Sequence, residues 1–450
     1  MSTHTKYHLI TLGCQMNLSD SERVVSVLND HGYTWTDNEE EAGLIGILAC
    51  SVRQKAIDKV YSRIHKWNKW KNHKNLITFI SGCMLPDDHE KFLKLFDITF
   101  QMKDLPKLPE MISQYGVTSP AHLNPGIDPH NKNIEEFWSV KPSYQSDYEA
   151  FIPIQNGCDK FCTFCAVPYT RGREVSRPSK DILAEIALLV AQGYKSITLL
   201  GQNVNSYGLD KKGSEIQFPE LLRQVGEMGL RMNKEFWVYF TSPHPRDMTD
   251  EVIEVISQYP VLAKQIHLPM QSGDDKVLIR MNRKHNMEKY RHIVHTIRRL
   301  IPEATLFTDI IVGFTGETEE QFENTRKAME EFKFNMSYTA IYSPRPGATS
   351  HRWADDVPLD EKKRRLHVLT EELRKHNLGN NNRLIGKTIK VLVRGTDRKP
   401  GYLSALTEGK LIVRFPENDQ NLIGQFADVK VTSASDFSLE GELVNIEQVA

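Results

Sequence analysis

The chain alternates short apolar runs with amphipathic stretches, and that rhythm changes character twice. In residues 1 to about 115 the runs "YHLITLG", "AGLIGILA" and "NLITFISG" read as strands. They are followed in turn by the helical stretches "SDSERVVSVLNDHG", "SVRQKAIDKVYSRIHKW" and "DDHEKFLKLF". The first of these opens on capping-type residues and stops at Gly. None of the three runs alternates strictly, which suits strands covered on both faces of an open parallel sheet. Residues 116–148 are rich in Pro, Asn, Ser and His without periodicity and read as a linker or surface excursion. From 151 the rhythm returns, with "FIPIQN", "SITLLGQ", "FWVYFTS", "KQIHLPM", "TLFTDIIVGF" and "MSYTAIYS" as strands. Six strand–helix units in a row predict a partial or complete barrel. From about 383 the pattern becomes short strands with turn signals and no helices, the mark of a small all-β barrel. The expected fold is α/β in three parts: an N-terminal open parallel sheet (1–117), a linker (118–148), a central (β/α)6-type partial barrel (149–382) and a C-terminal all-β barrel (383–450).

Composition changes this picture little. At 450 residues, 40% apolar, 26% charged and net charge -1, the chain has an ordinary globular make-up with room for two or three cores. A neutral total can still hide a basic face. The start lacks a basic segment followed by a long apolar one, and "GLIGILAC" is too short to cross a bilayer. The expectation is a cytoplasmic protein without a membrane partner.

The six cysteines change the picture most. Cys14, Cys50 and Cys83 each stand just after one of the first three strands. In an open parallel sheet such positions share one edge, where ligands bind. The alternative is three independent buried thiols, each a small apolar residue. Cys158, Cys162 and Cys165 form a C-x3-C-x2-C loop directly after the first barrel strand. Zinc ribbons present two C-x2-C pairs. Three thiolates suit three irons of a 4Fe-4S cluster and leave the fourth iron open to a non-protein ligand. Zinc, or a purely structural role, is the alternative. An iron–sulfur electron carrier or scaffold with an RNA-binding tail is a further one, although carriers usually supply four cysteines per cluster.

The cysteine loop, with aromatic Phe164 before its last thiol and a barrel following, resembles the radical S-adenosylmethionine (SAM) superfamily. Together with a three-cysteine N-terminal domain and a terminal TRAM-type barrel, nearly the whole chain resembles its methylthiotransferase family. The resemblance implies two 4Fe-4S clusters, on Cys158, Cys162, Cys165 and on Cys14, Cys50, Cys83. The first would bind SAM and cleave it to a 5′-deoxyadenosyl radical, and the second would hold the sulfur. A further SAM would donate the methyl group. Phe164, Gly201, Gln202, Asn203, Asn205, Ser242, His244, Gln271, Asp309 and Gly313 stand where the SAM-binding loops are expected. "LGCQMN", "CSVRQKA", "GCDKFCTFCAVPYTRGRE" and "HLPMQSGDDKVLIRMNR" look most like members acting on isopentenylated adenosine beside the anticodon of tRNA. Members acting on threonylcarbamoyl-adenosine or a ribosomal-protein aspartate are the alternatives. "LACSV", "GCMLPDD" and "GFTGET" depart from the family pattern without removing a ligand. Implied partners are the tRNA anticodon loop, a reducing donor such as flavodoxin or ferredoxin, and the iron–sulfur assembly machinery, around a monomer.

Charge is uneven along the chain. Residues 362–399 carry a long run of Lys and Arg opposed only by Glu371, Glu372 and Asp397, and are expected to contact RNA phosphates. A solvated helix face is the alternative. Arg171 and Arg173, close to the clustered cysteines, are expected to guide a substrate or the SAM carboxylate.

Overall fold

The computed structural model describes residues 6–51, 54–114 and 134–446. In the N-terminal part, β1 (Lys6–Thr11), β2 (Thr34–Trp35), β3 (Leu44–Cys50), β4 (Ile77–Cys83) and β5 (Ile98–Thr99) pair in the order β2-β1-β3-β4-β5, all parallel. Every residue of central β3 is buried, as a run without polar alternation requires. The two edge strands are two residues each and leave no pattern in the sequence.

Helix α1 (Gln15–Asp30) starts earlier than its capping signal predicts, with Cys14 as N-cap. Its polar residues Ser19, Asp20, Glu22 and Arg23 are buried along with its apolar ones. The reason is position: α1 is squeezed between the sheet and the barrel. Ser19 donates to the Phe151 carbonyl (3.1 Å) and the Gln145 N–H to Glu22 Oε1 (3.3 Å). Helix α2 (Gln54–Trp70) follows β3 and packs Ile57, Val60, Ile64 and Trp67 on the other side.

The linker expectation needs correcting. Residues 116–133 lie outside the described residues, but Glu135–Ser139 is a short helix whose Phe137 and Trp138 complete the N-terminal core. A five-residue helix is too short to show a period.

The six barrel strands fall where the apolar runs place them: β6 (Glu149–Pro153), then, after the small antiparallel ribbon of β7 (Gln155–Asn156) and β8 (Val175–Ser176), β9 (Ser196–Leu200), β10 (Trp237–Phe240), β11 (Gln265–His267), β12 (Thr305–Val312) and β13 (Met336–Ile341). They pair as two parallel halves, β10-β9-β6 and β11-β12-β13, joined by a bridge between Val238 and Leu262. This is a partial barrel. Its core runs from Ile182 and Ile186 through Phe218 and Tyr290 to Phe322, all buried, and each such side chain contributes about 1.5–3 kcal/mol by leaving water.

The C-terminal strands β14 (Thr388–Thr396), β15 (Tyr402–Thr407), β16 (Ile412–Pro416), β17 (Phe426–Ala434) and β18 (Ser438–Ile446) close into a barrel in the order β14-β15-β16-β18-β17. This barrel is seated against the amino-terminal ends of the large barrel's strands. Phe426 packs on Trp237 with ring centroids 4.7 Å apart, Arg394 grips both oxygens of Glu149 (2.8 Å each), and Gly409 accepts from Thr305 Oγ1 (2.8 Å). Lys410, at the same hairpin tip, lies 4.2 Å from the Tyr239 ring centroid.

Most of the basic run is buried or ion-paired. In the helix Leu359–Asn382, Lys362 and Arg365 are buried, paired with Asp355 and with Glu317 and Glu361. Arg364 pairs with Glu319 and Glu361, Arg374 with Glu371 and Asp436, and Lys375 with Glu372. Lys390 and Lys399 are paired with Glu235 and Glu440. Glu361, Glu371 and Glu372 lie on the same helix, but Glu317, Glu319, Asp355, Asp436, Glu235 and Glu440 come from outside it, so the local count of acidic residues misjudges the face.

Candidate active site

Strand β6 runs into Gly157, whose φ of +80° and surroundings leave no alternative residue: a Cβ there would sit 2.0 Å from the Arg173 carbonyl oxygen. That turn starts the cysteine loop, which doubles back on itself. The Cys158 N–H donates to the Gly172 carbonyl (3.1 Å) and Asn156 Nδ2 to the Arg171 carbonyl (3.0 Å). The segment 280–283 clamps it from outside: the Thr163 N–H donates to Met281 O (3.1 Å) and Asn282 Nδ2 to Phe161 O (2.9 Å). Arg283 Nη1 lies 3.4 Å from Cys162 Sγ and the Val167 N–H 3.4 Å from Cys165 Sγ. Burial pushes the Cys158 and Cys165 thiols up to about 12, so they stay protonated until a cation takes them.

Beside this loop is a buried polar hollow that sequence reasoning largely missed. Lys160, between Cys158 and Cys162, pairs with Asp247 (2.9 Å) and lies 3.7 Å from Glu174. Asn203 Nδ2 donates to Ser206 (2.8 Å) and Asp247 (3.2 Å). His244 and His285 meet edge to face at 5.7 Å. Burial, reinforced by Arg283, pushes His285 down to about 3 and holds His244 far below its usual range. Both histidines are therefore neutral. Asn203 Oδ1, His244 Nε2 and His285 Nε2 are buried without partners among the described residues. Unpaired buried polar atoms are costly, and a polar ligand in the hollow would satisfy them. Lys160 and Glu174 lie in "GCDKFCTFCAVPYTRGRE" and Arg283 ends "HLPMQSGDDKVLIRMNR", whereas Asp247 and His285 fall outside both. The available signal was charge between strands on one edge.

The other expected SAM-loop residues divide. Gln202 accepts from the Gly157 N–H, and the Asn205 side chain donates to the His244 carbonyl (2.9 Å) and accepts from the His244 N–H (2.7 Å). Gly201 packs against Val204 and Gln155. Phe164 leads an aromatic chain through Phe314 to Tyr342 and Trp353. Ser242 and Gln271, at strand ends, have left-handed backbones (φ 57° and 70°) that non-glycine residues adopt only at a cost. Asp309 pairs with His267 (3.1 Å) on neighbouring strands. Gly313 is occupied otherwise: a Cβ would meet Lys362 Cγ at 2.3 Å, and its N–H donates to Glu317 Oε2 (2.6 Å). Its constraint is the packing of the helix Leu359–Asn382.

The scattered cysteines all stand at one end of the N-terminal sheet. Cys50 and Cys83 are register partners as the last residues of β3 and β4, on the strands rather than in the turns. The chain reaches them at Gly13, where a Cβ would lie 2.9 Å from Cys50 Cβ, and Cys14 follows at the start of α1. Burial pushes the Cys83 thiol up to about 12, opposed by the Arg171 guanidinium and reinforced by Cys14 and Cys50. Arg171 does not guide a carboxylate. It is turned to Cys83, and Arg173 is half-exposed, paired with Asp159 (2.9 Å).

None of the six cysteines is in a disulfide. Among the described residues no three His, Cys, Asp or Glu side chains converge as around a single ion. A many-iron cluster spreads its thiolates wider than one ion does, so two all-thiol trios, each at the strand ends of its own sheet, fit iron–sulfur ligation in donor chemistry. Among the described residues no helix is long and apolar enough to cross a membrane.

Comparison with known proteins agrees with this layout. The Radical SAM superfamily model matches residues 152–329, the model of Uncharacterized protein family UPF0004 matches 6–102 and the TRAM domain model matches 382–444. The tRNA-2-methylthio-N(6)-dimethylallyladenosine synthase of Cronobacter sakazakii is 39% identical over 98% of this chain and 93% of its own. Those of Shigella boydii and Escherichia coli O139:H28 are each 40% identical at the same coverage. Among solved structures, the radical SAM methyltransferase TsrM from Kitasatospora setae shares the fold at a TM-score of 0.55 and 14% identity, over 77% of this chain and 75% of that one. A superfamily barrel of this kind carries SAM and iron–sulfur chemistry, and a TRAM domain carries RNA binding. With one cysteine trio at the strand ends of the N-terminal sheet, another in the loop after the first barrel strand, a TRAM barrel behind and this identity along the whole chain, the protein belongs to the tRNA-2-methylthio-N(6)-dimethylallyladenosine synthase family of radical SAM methylthiotransferases.

Proposed function

We propose that this chain attaches a methylthio group to carbon 2 of N6-dimethylallyladenosine beside the anticodon of tRNA. The observation that carries the reading is the pair of thiol trios, one at the strand ends of the N-terminal sheet and one in the loop after the first barrel strand, in a chain 40% identical to the Shigella boydii enzyme. The carbon-2 hydrogen sits on an aromatic carbon and is not acidic enough for a side-chain base. General acid–base help, normally ~10²–10⁴-fold, would not open that bond. When bound, a 4Fe-4S cluster on each trio supplies the electron that generates a carbon radical from SAM and a place to hold sulfur.

The protein's own part is holding and orienting. Cys158, Cys162 and Cys165 would ligate one cluster, and Cys14, Cys50 and Cys83 the other. Lys160, Asn203, Asp247, Glu174 and His244 offer charge and unpaired polar atoms to the amino-acid and ribose parts of SAM. Phe164 offers an aromatic surface at the hollow's rim. On the C-terminal barrel, Arg383, Lys387, Arg398 and Lys430 are exposed and have no ion pair among the described residues; these suit RNA phosphates better than the paired run before them. Domain limits of 1–117, 149–382 and 383–450, a flavodoxin- or ferredoxin-type donor, supply by iron–sulfur assembly machinery, action as a monomer and a cytoplasmic location complete the reading.

Mass spectrometry of tRNA nucleosides from cells lacking the protein tests it. Loss of the 2-methylthio nucleoside with accumulation of its isopentenylated precursor is expected. An unchanged level of the methylthio nucleoside overturns the assignment.

A further inference from the structure

Arg171 belongs by sequence to the barrel's cysteine loop and by contact to the other trio. It ends the short helix Val167–Arg171, just after Cys165, and its side chain leaves that loop to cross the domain boundary. Its Nε donates to Cys83 Sγ at 2.9 Å. Its Nη2 donates to Asn17 Oδ1 (2.9 Å) and to Asp20 Oδ2 (2.6 Å), both on α1. The guanidinium is buried, and so is Asp20, whose Oδ1 has no partner. Asn17 is locked in turn by donating to the Leu12 and Ala49 carbonyls (2.6 and 2.8 Å), the backbone beside Cys14 and Cys50.

A buried ion pair is an expensive way to bolt two domains together, since well-packed apolar residues do it as well. What an apolar contact cannot do is place a positive charge and an N–H donor on a particular sulfur. Hydrogen bonds to the sulfurs and local net charge are among the levers that set an iron–sulfur reduction potential. We propose that Arg171 is a positioning residue that raises the reduction potential of the cluster on Cys14, Cys50 and Cys83, with Asp20 holding it in place and partly offsetting its charge. Because the same residue follows directly on the barrel loop, the electrostatics of the sulfur-holding site depend on correct seating of the SAM site. This rests on the two-cluster reading above.

The test uses full-length protein in which Cys158, Cys162 and Cys165 are all changed to Ala, reconstituted anaerobically with iron and sulfide. Its remaining cluster is titrated by electron paramagnetic resonance against potential. Arg171→Gln is expected to lower the midpoint, and Arg171→Lys to recover part of the shift. Lysine keeps the charge but cannot span Cys83, Asn17 and Asp20 as a planar fork does. Asp20→Asn is expected to move the midpoint the opposite way, upward. A purely structural clamp predicts no such opposition of sign. If Arg171→Gln fails to retain iron, the sign of the Asp20→Asn shift decides. An unshifted midpoint in Arg171→Gln, or a downward one in Asp20→Asn, overturns the inference. Absence of any cluster in the parent protein instead overturns the two-cluster reading on which it rests.

Discussion

Cys158, Cys162 and Cys165 stand in one loop shaped by its own backbone, whereas Cys14, Cys50 and Cys83 are delivered by the ends of three parallel strands. The surroundings differ as well. In the barrel trio the Lys160 backbone bonds Cys158, and donors stand 3.4 Å from Cys162 and Cys165; the trio lies beside buried polar atoms that lack partners among the described residues. At the N-terminal trio the nearest polar groups, Asn17, Asp20 and Arg171, bind one another and Cys83, and Cys14 is exposed. One site is prepared to take a ligand from inside the barrel. The other is fixed from within and open toward its first cysteine. Identical ligand sets thus acquire different work from what lies behind them.

The sharpest way to break this comparison is to remove one ligand from each trio. Cys162→Ala is expected to abolish SAM cleavage, read as 5′-deoxyadenosine formed under reducing conditions. Residual cleavage near the parent rate would show that the barrel loop is not the cleaving site. Cys50→Ala is expected to keep 5′-deoxyadenosine formation, lose roughly half the bound iron and lose methylthiolated product by about 100-fold or more. Normal product from that variant would end the division of labour.

The loop itself can be probed next. Gly157→Ala forces a Cβ into the Arg173 carbonyl at a left-handed φ and is expected to cost about 2–4 kcal/mol. The measurement is a fall in chemical-denaturation midpoint. A Gly32→Ala control meets nothing within 4 Å but shares the left-handed φ of +81°, and is expected to cost only about 1 kcal/mol.

The smallest effect concerns the helix that seats the N-terminal trio on the barrel. Burial pushes the Glu22 carboxyl up to about 7, with the Gln145 N–H and Arg23 opposing it. A raised carboxyl keeps its proton in the native state while the unfolded chain has already released its own. Stability therefore falls as pH climbs from about 4.5 to about 7. Glu22→Gln removes that penalty, so its advantage should grow across this window and level off above it, at on the order of 2 kcal/mol. An advantage independent of pH would mean that shape, rather than protonation, sets the cost.

Legibility in the sequence followed how local each feature is. The barrel trio, the six barrel strands and the five strands of the C-terminal barrel were readable because spacing and apolar runs are properties of short segments. The N-terminal trio was readable at one remove, because strand ends of a parallel sheet share an edge whatever separates them along the chain. Arg171's true target was hidden, since its loop faces another domain. The ion pair of Arg365 was hidden for a related reason: Glu317 comes from a segment the helix meets only after folding, whereas Asp355, the partner of Lys362, stands just before the helix and outside the stretch whose charges were counted. Lys160 and Asp247 illustrate a third case. A charged residue in a polar loop looks solvated until the loop is found folded over it.

The seating of the C-terminal barrel has a consequence for substrate size. Its hairpin tip and Phe426 touch the strands where they begin, at Thr305 and Trp237, while both cysteine trios lie where strands end. Strands of five to eight residues separate the two ends, which at about 3.3 Å per residue is on the order of 20 Å. An RNA gripped at one end and reacting at the other must bridge that interval. A bare nucleoside is too small to do so, whereas a stem carrying its loop is long enough. Docking the small barrel at the far end thus separates the place for RNA from the cysteine trios by about one barrel height.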